Sequence, residues 1–157
     1  MQDRGLSEHF RLNEFVNSPT AEARGIDNTP SAAVVERLRA LCGHVLEPLR
    51  QAMGVPITIS SGYRCPRLNR AVGGVRNSQH LYGEAADIHL PDESVGRVWF
   101  LWIMDNCQFD QLIWESTPAS SRHWIHVSFR EGSNRQQVIR NLVKSGRAGS
   151  SGGRGVG

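Results

Sequence analysis

The chain has 157 residues, of which 39% are hydrophobic and 21% charged, and its formal net charge is +3 at pH 7. This length suits one domain that buries about two-thirds of the surface of its unfolded chain. The arginines are scattered rather than massed in one stripe, so we expect no nucleic-acid partner. No apolar window approaches the roughly eighteen residues that a membrane helix needs, so we expect no membrane span.

Three cysteines, Cys42, Cys65 and Cys107, are odd in number and lack the paired spacing of a metal site. The sequence therefore predicts no disulfide framework and fits a reduced compartment. The first residues also lack the apolar region of a signal peptide. We expect synthesis in the cytoplasm, with any export dependent on another factor, and a monomeric protein.

Residues 1–28 are predicted to form an N-terminal arm of the domain. Phe10, Leu12 and Phe15 are spaced so that their side chains can reach the core, and Ser18 with Pro19 indicates a turn.

A long amphipathic helix is predicted next. Thr29 offers an N-cap with Pro30 at the first helical position, and apolar residues then recur every three or four positions. The pattern ends at Gly54, and we expect a kink at Pro48 because proline cannot donate the helical hydrogen bond.

A half-buried strand is predicted at residues 56–60, with Ile57 and Ile59 facing inward. It leads through a turn to Arg64, and Pro66 then opens a short helical turn. An arginine directly after a strand and turn is well placed to bind a carboxylate with its planar guanidinium.

Candidate metal ligands follow in a polar segment that ends in a second strand, predicted at residues 85–90. His80 and Asp87 are seven residues apart, and Gly83 between them lets the backbone turn. His89 shares a strand face with Asp87 by the two-residue period, so it is a rival ligand. The motif described below favours His80 with Asp87.

The second half of the chain is predicted to contain a helix, a hairpin and a last helix. Ser94 is expected to cap a helix that ends near Asn106, with a core-facing side formed by Val98, Trp99, Trp102 and Ile103. Residues 109–115 and 123–129 have strand patterns and are predicted to pair antiparallel. Asn134 is expected to cap a final helix, and residues 145–157, rich in Gly, Ser and Arg, to form a flexible tail.

His126 lies in the second strand of this hairpin, on the same face as Trp124 and Ser128. A lone histidine on a strand is usually structural, but His126 supplies the third ligand that His80 and Asp87 require. Zn²⁺ accepts imidazole nitrogen and carboxylate oxygen, and catalytic zinc sites commonly use three protein ligands. The sequence therefore predicts a zinc site at His80, Asp87 and His126.

The polar segment at residues 78–87 closely resembles the Ser-x-His-x-x-Gly-x-Ala-x-Asp motif of the M15 zinc peptidases, the D-Ala-D-Ala carboxypeptidase family. Its fixed positions are present as Ser78, His80, Gly83, Ala85 and Asp87. The resemblance extends from about residue 6 to about residue 143, and it is strongest to the compact, phage-associated branch that includes endolysins. It implies that residues 1–144 form one zinc peptidase domain.

The resemblance also implies roles for the site residues. His80, Asp87 and His126 would bind zinc, and Arg64, in Ser-Gly-Tyr-Arg, would contact the substrate or stabilise the developing oxyanion. Ser78 would contact substrate or orient the metal ligands. The expected fold is α+β, with a small, mainly antiparallel sheet packed against helices, as in D-Ala-D-Ala peptidases and hedgehog domains.

The expected function is therefore zinc-dependent hydrolysis of peptidoglycan stem peptides, either as a carboxypeptidase or as an endolysin-type peptidase acting on the cell wall. Two alternatives stay open. The chain could be a wall-binding or phage structural module that retains an inactive zinc site, or a zinc-stabilised interaction domain on a hedgehog-like scaffold.

The general base is where the sequence departs from the family pattern. Many relatives have an acidic residue three positions before the second zinc histidine, and His123 occupies that position here. His123 could take the proton, but its odd offset from His126 points it to the opposite strand face. Glu115, on the neighbouring strand, could reach the site by antiparallel pairing, and we favour it as the base.

Overall fold

The computed structural model describes residues 3–118 and 122–144. These residues form an α+β domain, with strands β1 (Gly5–Ser7), β2 (Phe10–Arg11), β3 (Ile59–Ser61), β4 (Ala85–His89), β5 (Gln111–Ser116), β6 (His123–Ser128) and β7 (Gln137–Val143). The α-helices are α1 (Asn13–Val16), α2 (Pro19–Arg24), α3 (Ala32–Leu41), α4 (Glu47–Met53), α5 (Pro66–Ala71) and α6 (Glu93–Asn106). A π-helical segment, Cys42–Leu46, joins α3 to α4, and a 3-10 turn, Gln79–Tyr82, precedes β4.

The main sheet has five strands in the order β3-β4-β6-β5-β7. Three of its neighbouring pairs are antiparallel, as expected, but β5 and β7 run parallel, so the sheet is mixed. Strands β1 and β2 form a separate antiparallel hairpin. The domain as described contains no helix that is both long and apolar enough to cross a membrane.

The two faces of the main sheet have different surroundings. One face packs against the helices, and its side chains join a single apolar cluster that includes Leu38, Leu49, Ile88, Ile103, Leu112, Ile125 and Val127. The opposite face carries polar side chains from β4, β5 and β6. Because successive residues of a strand alternate between faces, this division separates packing residues from candidate site residues.

The N-terminal arm packs on the core as predicted, since Phe10, Leu12 and Phe15 are all buried. The predicted turn at Ser18 is the N-cap of α2, where the Ser18 hydroxyl accepts a hydrogen bond from the Ala21 N–H at 3.2 Å.

Glu47 of α4 fastens the β1–β2 hairpin to the long helix. Its Oε1 accepts hydrogen bonds from the Ser7 hydroxyl at 2.6 Å and from the His9 N–H at 2.8 Å. Burial alone would raise the pKa of Glu47, but hydrogen bonds from Ser7, His9 and Gln51 outweigh burial and lower the pKa to about 2.

The long helix differs from its prediction at two points. It begins after Ser31, not Thr29, because the Ser31 hydroxyl accepts a hydrogen bond from the Val34 N–H while Thr29 bonds to Asp27. The irregularity expected at Pro48 lies just before it, in the π-helical segment. The predicted end at Gly54 is confirmed, with φ of 69°.

Strand β3 lies at residues 59–61, slightly later than predicted, with Ile57 buried and Ile59 half-buried. Helix α6 ends at Asn106 as predicted, but it is capped by Asp92, whose Oδ1 accepts from the Val95 N–H at 2.8 Å, and not by Ser94.

The predicted core residues of α6 divide into two groups. Trp99 and Ile103 are buried and Trp102 is half-buried, as expected for the side of the helix that faces the core. Val98, which was predicted to join them, is 57% exposed.

The prediction of a final helix after Asn134 is wrong, because residues 137–143 form strand β7. The apolar residues of this segment have helical spacing, but the free edge of β5 offers backbone partners that the helix prediction did not consider. The Asn134 side chain accepts from the Arg130 N–H instead of capping a helix. The predicted flexible tail, residues 145–157, lies outside the described residues.

Candidate metal centre

His80, Asp87 and His126 converge on the polar face of the sheet. One ligand atom from each lies within 4.8 Å of the other two, and each residue is at most 9% exposed. The His80 Nε2 is 3.3 Å, and the His126 Nδ1 3.1 Å, from the Asp87 Oδ1. Two imidazole nitrogens therefore face one carboxylate oxygen, and all three side chains are buried.

The tautomer of His80 is fixed by the backbone. Its Nδ1 lies 2.7 Å from the Gly62 carbonyl oxygen, which can only accept, so Nδ1 carries the proton. Burial, reinforced by the positive charge of Arg64, lowers the pKa of His80 to about 4. The ring is therefore neutral at pH 7 and directs a lone pair on Nε2 toward Asp87, as metal binding requires.

The 3-10 turn that carries His80 explains two positions of the sequence motif. The Ser78 hydroxyl accepts a hydrogen bond from the His80 N–H at 3.1 Å, and Ser78 itself is 1% exposed. Gly83 ends the turn with φ of 76°, and a Cβ there would lie 2.8 Å from the Val34 carbonyl oxygen. The Ser78 hydroxyl therefore caps the start of the turn that carries His80.

Asp87 and His126 are direct cross-strand partners of β4 and β6, which is why their side chains meet on one face. Burial alone would raise the pKa of Asp87, but His80 and His126 hold it well below its usual range. Asp87 is therefore an ionised carboxylate between two ring nitrogens.

Arg64 lies beside this cluster, with 11% of its side chain exposed. Its Nε donates to the Ser61 hydroxyl at 3.2 Å and its Nη1 to the Asn69 Oδ1 at 2.8 Å. The Nη2 is 3.9 Å from the Asp87 Oδ2. Burial lowers the pKa of Arg64, and the nearby charges of Asp87 and Glu115 offset only part of this lowering. The guanidinium is thus held so that Nη2 faces the cluster.

Sequence reasoning missed Asn69 and Gly74, which fix the position of Arg64. Asn69 is 3% exposed, and its Nδ2 donates to the Val75 carbonyl at 2.8 Å. A Cβ on Gly74 would lie 2.0 Å from the Asn69 Oδ1 and 2.5 Å from the Arg64 Nη1. The only signal of this close packing in the sequence is the glycine pair at residues 73–74.

Glu115 lies on the same sheet face as His126. It pairs with Trp124, and its neighbour on that face of β5, Ile113, pairs with His126. Glu115 is 1% exposed; the Trp124 indole N–H donates to its Oε1, and the Lys144 Nζ is 3.3 Å from its Oε2. Burial and Asp87 raise the pKa of Glu115, and the charge of Lys144 partly offsets this.

The structure does not bring His123 or His89 into the cluster. The His123 side chain lies on the helix-packed face, with Nε2 3.4 Å from the Glu93 Oε1 and its ring 5.5 Å from that of Trp114. Strand β6 is regular from His123 onward, so the odd offset from His126 turns the ring away. His89 is exposed at the end of β4.

A buried set of two imidazoles and one carboxylate, from two strands of the sheet and the turn before β4, has the composition of a mononuclear metal centre. The sequence profile of the Peptidase M15 family matches residues 8–128, and the chain belongs to this family, as its motif predicted.

A zinc D-Ala-D-Ala carboxypeptidase from Streptomyces albus G is 50% identical to the chain over 88 residues. The match covers 55% of the chain and 33% of that relative. The chain therefore corresponds to about a third of the relative's length.

Proposed function

We propose that the protein is a zinc metallopeptidase that hydrolyses peptidoglycan stem peptides, as a D-Ala-D-Ala carboxypeptidase or as an endolysin-type peptidase. The observation that carries this proposal is the buried cluster of His80, Asp87 and His126 with Glu115 on the same sheet face. Membership of the Peptidase M15 family and the similarity to a zinc carboxypeptidase support it.

The three clustered residues fit zinc by their chemistry. His80 offers Nε2, because Nδ1 is engaged by the Gly62 carbonyl, and Asp87 offers a carboxylate oxygen 3.1 Å from the His126 Nδ1. A resident zinc supplies Lewis-acid chemistry, polarising a carbonyl and making water a stronger acid.

Glu115 is proposed as the general base that takes a proton from the attacking water. A buried carboxylate fits this role because burial brings its pKa closer to the operating pH, where a base is most efficient. The Trp124 indole N–H engages Oε1, which fixes the carboxylate in one orientation.

Arg64 is proposed to stabilise the developing oxyanion or to hold the carboxylate of the substrate. Its Nε and Nη1 are engaged by Ser61 and Asn69, so Nη2 is the nitrogen that faces the cluster. A donor held in advance stabilises a developing charge without reorganisation.

Digestion of purified peptidoglycan tests the proposal. Mass spectrometry should detect fragments that have lost a terminal alanine or a peptide cross-link, and metal analysis should find one zinc per chain. Wall fragments that bind and are never cut would instead indicate a wall-binding or phage structural module. Zinc without either binding or cleavage would indicate an interaction domain on a hedgehog-like scaffold.

Two variants test the assignment of the base. Glu115→Gln should keep its zinc and lose nearly all turnover, a loss of about 10²–10⁴-fold for a general base. His123→Ala is the matched control and should be impaired far less, because its ring lies on the other face of the sheet. The reverse order of damage would make His123 the base.

A further inference from the structure

Strand β7 lies beyond residues 8–128, the part of the chain that the family profile matches, yet residues at its two ends connect to the candidate site, one of them directly and the other through Asp110 and Gln79. It pairs with β5 in parallel along its length. The Lys144 N–H, just after the strand, donates to the Ser116 carbonyl at 2.8 Å. The strand therefore places Lys144 next to the end of β5, where Glu115 lies.

The start of β7 is fastened to the turn that carries His80. Asp110, which is fully buried, accepts from the Arg135 Nε at 2.9 Å and from its Nη2 at 2.8 Å. The same carboxylate accepts from the Gln79 Nε2 at 2.9 Å. Because Gln79 directly precedes His80, the entry to β7 and the ligand-bearing turn share one anchor.

The end of β7 contacts Glu115 itself. The Lys144 Nζ is 3.3 Å from the Glu115 Oε2, and the Lys144 side chain is 30% exposed while that of Glu115 is 1% exposed. The Trp124 indole N–H occupies the other oxygen. A buried carboxylate stays ionised only when it is paired, and here Lys144 supplies the opposing charge.

We propose that Lys144 is a positioning residue for Glu115. The Lys144 ammonium group attracts Oε2, and the Trp124 indole N–H donates to Oε1. The two contacts together fix the plane of the carboxylate. This inference rests on the proposed function, in which Glu115 is the base. It adds that Lys144, which lies beyond the residues matched by the family profile, positions the proposed base.

Kinetics of three variants test the proposal. Lys144→Met keeps most of the side-chain length and removes the charge, so kcat should fall about ten- to a hundredfold, the effect expected when a catalytic group is misplaced by about 1 Å. KM and zinc content should stay within about twofold. Lys144→Arg keeps the charge and should recover most of kcat.

Arg140→Met is the matched control, because it removes one positive charge from the same strand at an exposed position that contacts Met104. Its kcat should be unchanged. The proposal is overturned if Lys144→Met keeps kcat within twofold of the wild type or is damaged no more than Arg140→Met. It is also overturned if Lys144→Met raises KM alone, which would make Lys144 a substrate contact.

A second measurement does not need turnover. The four tryptophans give four indole N–H signals in a nitrogen-15 NMR spectrum, and Trp124→Phe identifies the signal of Trp124. In Lys144→Met this signal should shift because Glu115 moves, while in Arg140→Met it should not. An inactive wild type would refute the peptidase proposal, and an unmoved Trp124 signal would refute the role of Lys144.

Discussion

Gly74→Ala tests whether close packing around Arg64 holds the guanidinium in place. The added Cβ would lie 2.0 Å from the Asn69 Oδ1 and 2.5 Å from the Arg64 Nη1, so it cannot fit while both atoms stay where they are. Neither group can move freely, since they bond to each other at 2.8 Å and Asn69 also bonds to the Val75 carbonyl at 2.8 Å. The variant must therefore separate Asn69 from Arg64.

The expected magnitude follows from these contacts. Losing a hydrogen bond to a charged group costs about 1.5–3 kcal/mol. Overpacking adds about 1–3 kcal/mol. The reduced freedom of the unfolded chain returns about 0.4–1 kcal/mol. The net loss in the free energy of unfolding should be roughly 2–5 kcal/mol, which lowers the melting temperature by roughly 5–15 °C in a domain of this size. Turnover per folded molecule should fall about tenfold or more, because the proposed oxyanion donor is displaced.

Thermal melting and a hydrolysis assay corrected for folded fraction measure both effects. Gly43→Ala is the matched control, because a Cβ there meets nothing within 4 Å, and alanine should leave the helical segment as stable or more stable. If Gly74→Ala melts with the wild type, the surrounding side chains yield easily and the packing argument is wrong. If it melts early but keeps full turnover, the position of Arg64 does not matter for hydrolysis.

Two further predictions concern the metal and the N-terminal arm. His126→Ala should lose zinc and melt at a lower temperature, because metal bound only by the native state stabilises that state. His89→Ala should keep its zinc and its melting temperature. Metal analysis showing the opposite pattern would refute the proposed ligand set. Glu47→Gln should be less stable than the wild type by about 2–3 kcal/mol at pH 7 in denaturant unfolding. The folded-state pKa of Glu47, about 2, is depressed below the ordinary value of 4.5. The contribution of Glu47 to the free energy of unfolding is therefore fully present above about pH 4.5 and is lost as the pH falls toward 2. A difference in stability between wild type and Glu47→Gln that stayed constant from about pH 7 to about pH 2 would contradict this reasoning.

The sequence alone was sufficient to predict those structural features that depend on residues close together in the chain. Local patterns predicted the ends of the long helix and of α6, the short helix after Pro66 and the strand after Gly83. The errors were about two residues, at helix starts where a different side chain accepts the capping hydrogen bond. Two of the candidate ligands, His80 and Asp87, were predicted in the same way, because a fixed spacing of histidine, glycine and aspartate marks the turn.

The errors and omissions lie where distant segments meet. Residues 138–143 have a spacing of apolar residues that fits a helix, and only the free edge of β5 makes them a strand. Asn69 and Lys144 carry no local signal of their own, because their partners Arg64 and Glu115 come from other elements. Tertiary contacts of this kind overrode the local preference of the chain.

Strand register places the two candidate bases that the sequence left open on opposite faces of the sheet. Glu115 and His123 lie on paired antiparallel strands, β5 and β6. In the observed register Ile113 is opposite His126, which puts Glu115 on the His126 face and leaves His123 against the helices. A shift of one residue along β5 would turn Glu115 toward the core. The parallel pairing with β7 then brings Lys144 to the oxygen that Trp124 leaves open, so the proposed base depends on the register of three strands rather than on its own sequence neighbours.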